Sequence, residues 1–239
     1  MASVCASIPV QVSEVKRLMA QAAGRAGRSI EDITLMAAVK SRSLEEIRGV
    51  LSAGLNALGE NRLQEGLAHL EALGPDFRPD FRAHFIGRLQ TNKARRAVQA
   101  FDSIDSVDCL RLAQVLSCLA QEFQVRLDIL LEVNLGGESQ KGGAAPQEAR
   151  ALADAVHHLA GLRLTGLMGV CPYDEGPEAS RPFYRTLAQL FEHVRRDHPH
   201  PEAFRWLSMG MSHDFEVAVE EGATLVRVGQ ALFGPRRPA

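Results

Sequence analysis

Lys40 is the residue with the clearest chemical promise. It ends the apolar run Ile33-Thr34-Leu35-Met36-Ala37-Ala38-Val39, which polar residues bracket at 28–32 and 41–43. A run of that kind reads as a strand buried on both faces. A primary amine at the carboxyl end of such a strand stands where parallel sheets present their ligands, and it is a nucleophile toward a carbonyl. On position alone the same lysine is also explained as the first solvated residue after the core. Of Lys16, Lys40, Lys93 and Lys141, only Lys40 adjoins an apolar run.

A second group lies late in the chain. Ser208-Met209-Gly210-Met211-Ser212 joins a strand end to a glycine and to a serine suited to cap the next helix. Free N–H groups, hydroxyls and a helix amino end are what a phosphate dianion requires. Val226-Arg227-Val228-Gly229-Gln230 offers another such end, with a glycine that permits close backbone approach. Two neighbouring loops of this kind late in a barrel are a common phosphate site. Arg227 alternates with Val226 and Val228, so its side chain faces opposite to theirs, toward a barrel mouth, where a guanidinium needs an acceptor. Amine, phosphate cradle and inward arginine together describe a pocket for pyridoxal 5′-phosphate (PLP).

These residues need a regular frame, and the apolar spacing supplies one. Val12, Val15, Leu18, Met19 and Ala22 predict an opening helix over about 10–26, closed by Gly24 or Gly27. After the Lys40 strand, Ser43 caps a helix to about Ala53, with Gly54 as its stop. Strands are then expected over about 55–60, 83–87, 103–107, 127–133, 162–170, 204–208 and 224–228. Helices are expected over about 62–73, 92–96, 110–123, 146–160, 182–197 and 212–221. Each strand but the last is followed by a helix, which means parallel strands with crossover helices. Eight such units close most economically into one α/β barrel, a (β/α)8 TIM barrel over about 33–234 within a single domain spanning 1–239; a doubly wound open sheet is the alternative.

On a barrel, the functional face collects the residues at and just past the carboxyl end of each strand. Those positions are Lys40, Gly59-Glu60-Asn61, His84 with Gly87, Asn134, Met168, Ser208 to Ser212, and Arg227 with Gly229.

A net charge of −2 and a pI near 6.5 give no general pull toward nucleic acid or an anionic membrane, so a metabolite is the expected partner. Cys5, Cys109, Cys118 and Cys171 are scattered and form no disulfide or zinc framework. There is no charged and apolar leader and no run of the length a membrane span needs, so the expected location is cytoplasmic.

In order along the chain, Ala38-Val39-Lys40, Gly59 to Glu65, His84 to Lys93, Gly166-Leu167-Met168, Leu207 to Ser212 and Val226 to Gly229 resemble the motifs of the pyridoxal phosphate homeostasis protein family. The resemblance runs from about Met36 to Gly234. It implies a barrel like the amino-terminal domain of alanine racemase, with PLP held as an internal aldimine on Lys40. It further implies phosphate contacts around Ser208, Ser212 and Gly229, and an arginine, Arg227, near the pyridine nitrogen. Asn61, His84, Met168 and Gly210 complete the expected cofactor site. An arginine at that nitrogen leaves it unprotonated and makes the cofactor a weak electron sink. Val39 and Gln230 depart from the family pattern, which usually has serine or threonine at the first and threonine at the second.

The function implied is PLP binding and intracellular vitamin B6 homeostasis without robust turnover, with apo PLP enzymes as recipients; a PLP-dependent racemase is the alternative. Tyr173 and Tyr184 are the only tyrosines, and the chain ends soon after its last strand, which equips it poorly for two-base racemisation. A monomer is expected. A third reading is a barrel that uses Lys40 as an aldolase-type amine on another phosphorylated metabolite.

Other clusters point less far. His198-Pro199-His200 lacks a partner spaced to complete a metal site, so no metal is expected. His157-His158 lies in a helix with one ring toward solvent. His84 either lines the pocket or satisfies a core hydrogen bond. Asn92 to Arg96 reads as a solvated basic helix face. Glu138 and Lys141 match family positions without a role that can be read from the residues.

Overall fold

Strand alternation sorts the side chains of β1 (Thr34–Ala38) into two cores. The computed structural model describes residues 2–75, 77–137, 142–172 and 176–235, with side chains from residue 7 onward. Leu35, Ala37 and Val39 join the large apolar layer between sheet and helices, whereas Met36 packs inside the barrel with Ala57, Leu225, Ile86 and Trp206. Lys40 shares its parity with Met36 and Ala38, the inward set.

The remaining strands are β2 (Ala57–Glu60), β3 (Arg82–Phe85), β4 (Ser103–Val107), β5 (Leu127–Asn134), β6 (Leu162–Val170), β7 (Trp206–Ser208) and β8 (Leu225–Val228). All pairings between them are parallel, and the strands follow one another around a closed barrel in chain order. Closure pairs β1 with β8 in the register Met36↔Arg227 and Ala37↔Val228. The crossovers carry α2 (Leu44–Ser52), α3 (Leu63–Leu73), α4 (Ala94–Ala100), α5 (Leu110–Glu122), α6 (Pro146–His157), α7 (Arg181–Asp197) and α8 (Phe215–Glu220). The expected TIM barrel is the fold observed.

Local chemistry sets the helix ends. Ser43 and Glu46 form a reciprocal capping box at the start of α2, and Pro146 opens α6 where a missing N–H costs nothing. The opening helix, α1 (Ala2–Arg25), lies across α2, α8 and a short α9 (Gln230–Phe233). At the α1–α2 crossing, a Cβ on Gly49 would stand 3.0 Å from Ile8 Cδ1. At the amino-terminal end of the barrel, inward Asp128 accepts hydrogen bonds from Arg82 Nη2 (2.6 Å) and from Arg163 Nε and Nη2 (2.5 and 2.7 Å).

Several boundaries differ from expectation. α1 starts at Ala2 and carries Pro9 within it, although proline normally marks a first turn. β1 stops at Ala38, two residues before Lys40, because the chain turns at Val39. α8 begins at Phe215 with Asp214 at its N-cap position, so Ser212 does not cap it. The last strand does have a helix after it, α9, too short to show a period. Glu138, Lys141, Tyr173 and residues 236–239 lie outside the described residues, as does the side chain of Cys5.

Candidate functional site

The site is built from the closing strands outward. The Val39 N–H still pairs with the Gly59 carbonyl (3.0 Å), and the Arg42 N–H returns to the Val39 carbonyl (3.1 Å), so Lys40 and Ser41 are the central residues of a tight turn. Lys40 is half-buried there. Ser41 has φ +58°, a left-handed conformation that costs a non-glycine residue about 1–3 kcal/mol.

On β8, Arg227 points inward and is 6% exposed. Nη1 donates to Ser208 Oγ at 2.7 Å, and Nη2 donates to the Gly169 carbonyl at 2.8 Å. Burial pulls its pKa down, while Tyr184, Asp105, Glu132 and Asp214 oppose the shift. Glu132, Met168 and Ser208 stand in one register across β5, β6 and β7, all inward by parity. Burial and nearby Asp108 push the Glu132 carboxyl up to about 7, against the pull of Arg227 and Arg88.

The two late loops meet at Ser212. Its Oγ accepts the N–H of Gly229 at 3.1 Å and the N–H of Ala231 at 3.3 Å, so the serine expected to cap its own helix caps the one after β8. Gly210 has φ +91°, and a Cβ on it would fall 2.5 Å from Ala218 Cβ. A Cβ on Gly229 would stand 3.2 Å from the Ala38 carbonyl, which puts the start of α9 against the end of β1, just before the Lys40 turn.

Asp214 holds this corner. It is 1% exposed; Oδ1 accepts the Met211 N–H (2.7 Å), and Oδ2 accepts the hydroxyls of Tyr184 (2.7 Å) and Ser180 (3.0 Å). Burial and Asp214 raise the Tyr184 pKa far above the usual phenol range. Cys171, just beyond β6, is 3% exposed and pushed up to about 11 by burial.

Asn61 follows β2 at the same mouth. A Cβ on Gly87 would lie 2.0 Å from the Asn61 carbonyl oxygen, so only glycine lets the ends of β2 and β3 approach so closely. His84 is placed differently. It is the third residue of β3 rather than the last, and it borders a cavity of about 270 Å³ with Thr34, Arg82 and Trp206, all from the amino-terminal ends of strands. Its Nδ1 lies 3.0 and 3.2 Å from the two Asp105 oxygens, and Ser103 Oγ donates to the same carboxylate at 2.5 Å. Of the two roles left open for His84, the structure shows the buried hydrogen bond.

Lys40, Asn61, Met168, Ser208, Gly210, Ser212, Arg227 and Gly229 therefore gather at the carboxyl end of the barrel. Sequence reasoning missed Glu132, Asp214 and Tyr184. Glu132 sits inside the apolar run of β5 at inward parity, which was a usable signal; Tyr184 and Asp214 meet only through the fold. Among the described residues no group of His, Cys, Asp and Glu is arranged to hold a metal ion, and no helix is long and apolar enough to cross a membrane.

Residues 14–237 match the family model of the alanine racemase N-terminal domain. The chain is 42% identical over 227 residues to the pyridoxal phosphate homeostasis protein of Aquifex aeolicus, covering 95% of this chain and 97% of that one. An unknown protein from Bifidobacterium adolescentis superposes with a TM-score of 0.92 at 33% identity, covering 98% of this chain and 97% of that one. PipY of Synechococcus elongatus PCC7942, with PLP bound, superposes with a TM-score of 0.77 at 32% identity, covering 91% and 100%. By the match of motifs, barrel and near-complete coverage, the chain belongs to the pyridoxal phosphate homeostasis protein family, built on the alanine racemase N-terminal domain.

Proposed function

We propose that this chain binds PLP at the carboxyl end of its barrel, holds it covalently through the Lys40 amine, and serves vitamin B6 homeostasis as a carrier rather than as a catalyst. The observation that carries this is the β1–β8 closure: it sets the Lys40 turn beside Gly229, with Arg227 two residues earlier on the same inner face. The names of the relatives and the PLP in PipY support the same ligand.

The residues present fit the group. The Gly229 and Ala231 N–H groups converge on one hydroxyl, where a Cβ on Gly229 would crowd the backbone, and this suits a phosphate. Ser208, Gly210 and Ser212 border that corner; Asn61 and Met168 complete the walls. When bound, the cofactor supplies an aldehyde that captures amines and a ring that draws electrons. Arg227 is a donor without acceptor capacity, so a ring nitrogen facing it stays unprotonated and draws electrons weakly. Tyr184, the described tyrosine, is committed to Asp214 and buried, which leaves it unsuited to serve as a base. His84 is left out of the set because it borders the other end of the barrel.

The remaining expectations become part of the same proposal: one PLP-binding domain acting as a cytoplasmic monomer, with apo PLP enzymes as recipients. The test uses purified chain loaded with PLP. A near-visible absorbance band fixed by borohydride onto the Lys40 peptide, and absent in Lys40→Ala, is the expected result. No uptake of PLP by the wild type overturns it. Chiral inversion of single amino acids by the loaded protein favours the racemase alternative instead.

A further inference from the structure

The segment Gly59–Glu65 holds two carboxylates that the PLP site does not use. Glu60, 2% exposed at the end of β2, pairs through Oε1 with His69 Nδ1 at 2.7 Å. One turn before His69 on α3, Glu65 reaches the loop that carries Lys40, and its Oε1 accepts the Ser41 N–H at 2.5 Å. The second oxygen of each carboxylate is buried without a hydrogen-bond partner.

Ser41 is the critical position in that loop. Its φ is +58°, whereas Lys40 is not among the residues of positive φ. A tight turn with positive φ at only its second central residue has its middle peptide flipped relative to the commoner form, in which both φ values are negative. Serine does not favour the flipped form by itself. The N–H exposed by that flip is the one Glu65 accepts.

We propose that Glu65, backed by His69 and Glu60, is the positioning residue for Lys40: it holds the 40–41 peptide in its flipped form and so aims the amine into the mouth, with the proton shared by Glu60 and His69 setting how firmly. The proposal rests on the reading of Lys40 as the residue that holds PLP.

The charged groups facing His69 are Glu60 from β2 and Glu65 from its own helix, and the Arg42 backbone acts on the ring from the loop. The Arg42 guanidinium is engaged elsewhere, with the carbonyls of Phe233 (3.3 Å) and Gly234 (2.8 Å) and with Glu46 (3.6 Å). His69 Nδ1 either donates to ionised Glu60 or accepts from protonated Glu60. The pair is tightest when a doubly protonated ring donates through Nδ1 to the ionised carboxylate. The Glu60 hydrogen bond raises the His69 pKa above 6.5, and burial raises Glu60. The brace is therefore complete below 6.5 and is lost as pH rises through the raised value.

The test has two arms on the full chain. In the apo protein, hydrogen exchange at the Ser41 amide and acetylation of Lys40 are followed by mass spectrometry. In the PLP-loaded protein, cofactor loss is followed by absorbance while a phosphatase removes what is released. Glu65→Ala is expected to accelerate Ser41 exchange and cofactor loss about tenfold, the scale of one hydrogen bond to a charged acceptor. Glu65→Gln keeps an acceptor oxygen and stays within about twofold of the wild type. Adding Ser41→Gly to Glu65→Ala restores slow cofactor loss, because glycine takes positive φ freely, while the amide at 41, still without its acceptor, continues to exchange fast.

Wild-type cofactor loss should quicken from pH 6 to 9, and His69→Leu should abolish that slope, which carries the test even where Glu65→Ala folds poorly. Wild-type rates in Glu65→Ala, or an unchanged pH slope in His69→Leu, overturn the proposal. Faster Ser41 exchange in a variant of a chain that takes up no PLP removes the PLP reading and leaves the brace standing.

Discussion

Arg227 Nη1 and Ser208 Oγ meet at 2.7 Å inside the barrel, joining β8 to β7 below the corner where Ser212 gathers the Gly229 and Ala231 N–H groups. The same guanidinium reaches β6 through the Gly169 carbonyl. Arg227→Leu leaves Ser208 and that carbonyl without their donor and Glu132 without its balancing charge. The expected result is a loss of about 3–5 kcal/mol in urea unfolding and a Glu132 titration moved above its value of about 7, read by carboxyl NMR.

Glu132 makes the apo protein sensitive to pH. Its folded pKa of about 7 exceeds the ordinary 4.5, so its contribution to stability is fully present below 4.5 and is lost as pH rises through 7. Glu132→Gln should flatten that decline and be the more stable protein at pH 8 by about 2–3 kcal/mol, measured by denaturant unfolding at pH 5 and 8. Equal slopes in the two proteins count against the assignment.

Asp214 translates a buried phenol into the shape of the late loop. Tyr184→Phe removes one of the hydrogen bonds the carboxylate accepts. It should cost about 1–2 kcal/mol in stability. If the loop holds the phosphate, PLP affinity falls more steeply than affinity for pyridoxal, a comparison that equilibrium dialysis makes directly.

Gly87 has no room for a side chain. Gly87→Ala drives a Cβ toward the Asn61 carbonyl, 2.0 Å away, which is backbone and cannot step aside cheaply. Loss of folded protein, or a fall of at least about 3 kcal/mol in unfolding free energy, is expected. Gly176→Ala, where no described residue lies within 4 Å of the new Cβ, is the matched control.

The barrel was legible because most strands fall in apolar stretches followed, up to β7, by a helical period, and β4 and β6 match their expected limits at both ends. Lys40, Arg227 and the Ser208–Ser212 loop were legible because a residue's type and its place at a strand end suffice to nominate it. What escaped was long-range. Nothing near Ser212 says that its hydroxyl serves α9, and nothing near Ser41 says that Glu65 holds its N–H. His84 was misplaced by a different route, since His84-Phe85-Ile86-Gly87 read as a strand end when the strand begins at Arg82 and closes at Phe85. A window of sequence gives the period of an element more surely than its limits.

The two arginines clasping Asp128 have an effect on traffic. Arg82 and Arg163 tie β3 and β6 to β5 at the amino-terminal end, and Met36, Ala57 and Leu225 pack inside the barrel between that end and the Lys40 turn. If PLP is held beside Lys40 as proposed, loading and handover share the mouth at the carboxyl end of the barrel, and a recipient has to come to that rim to collect.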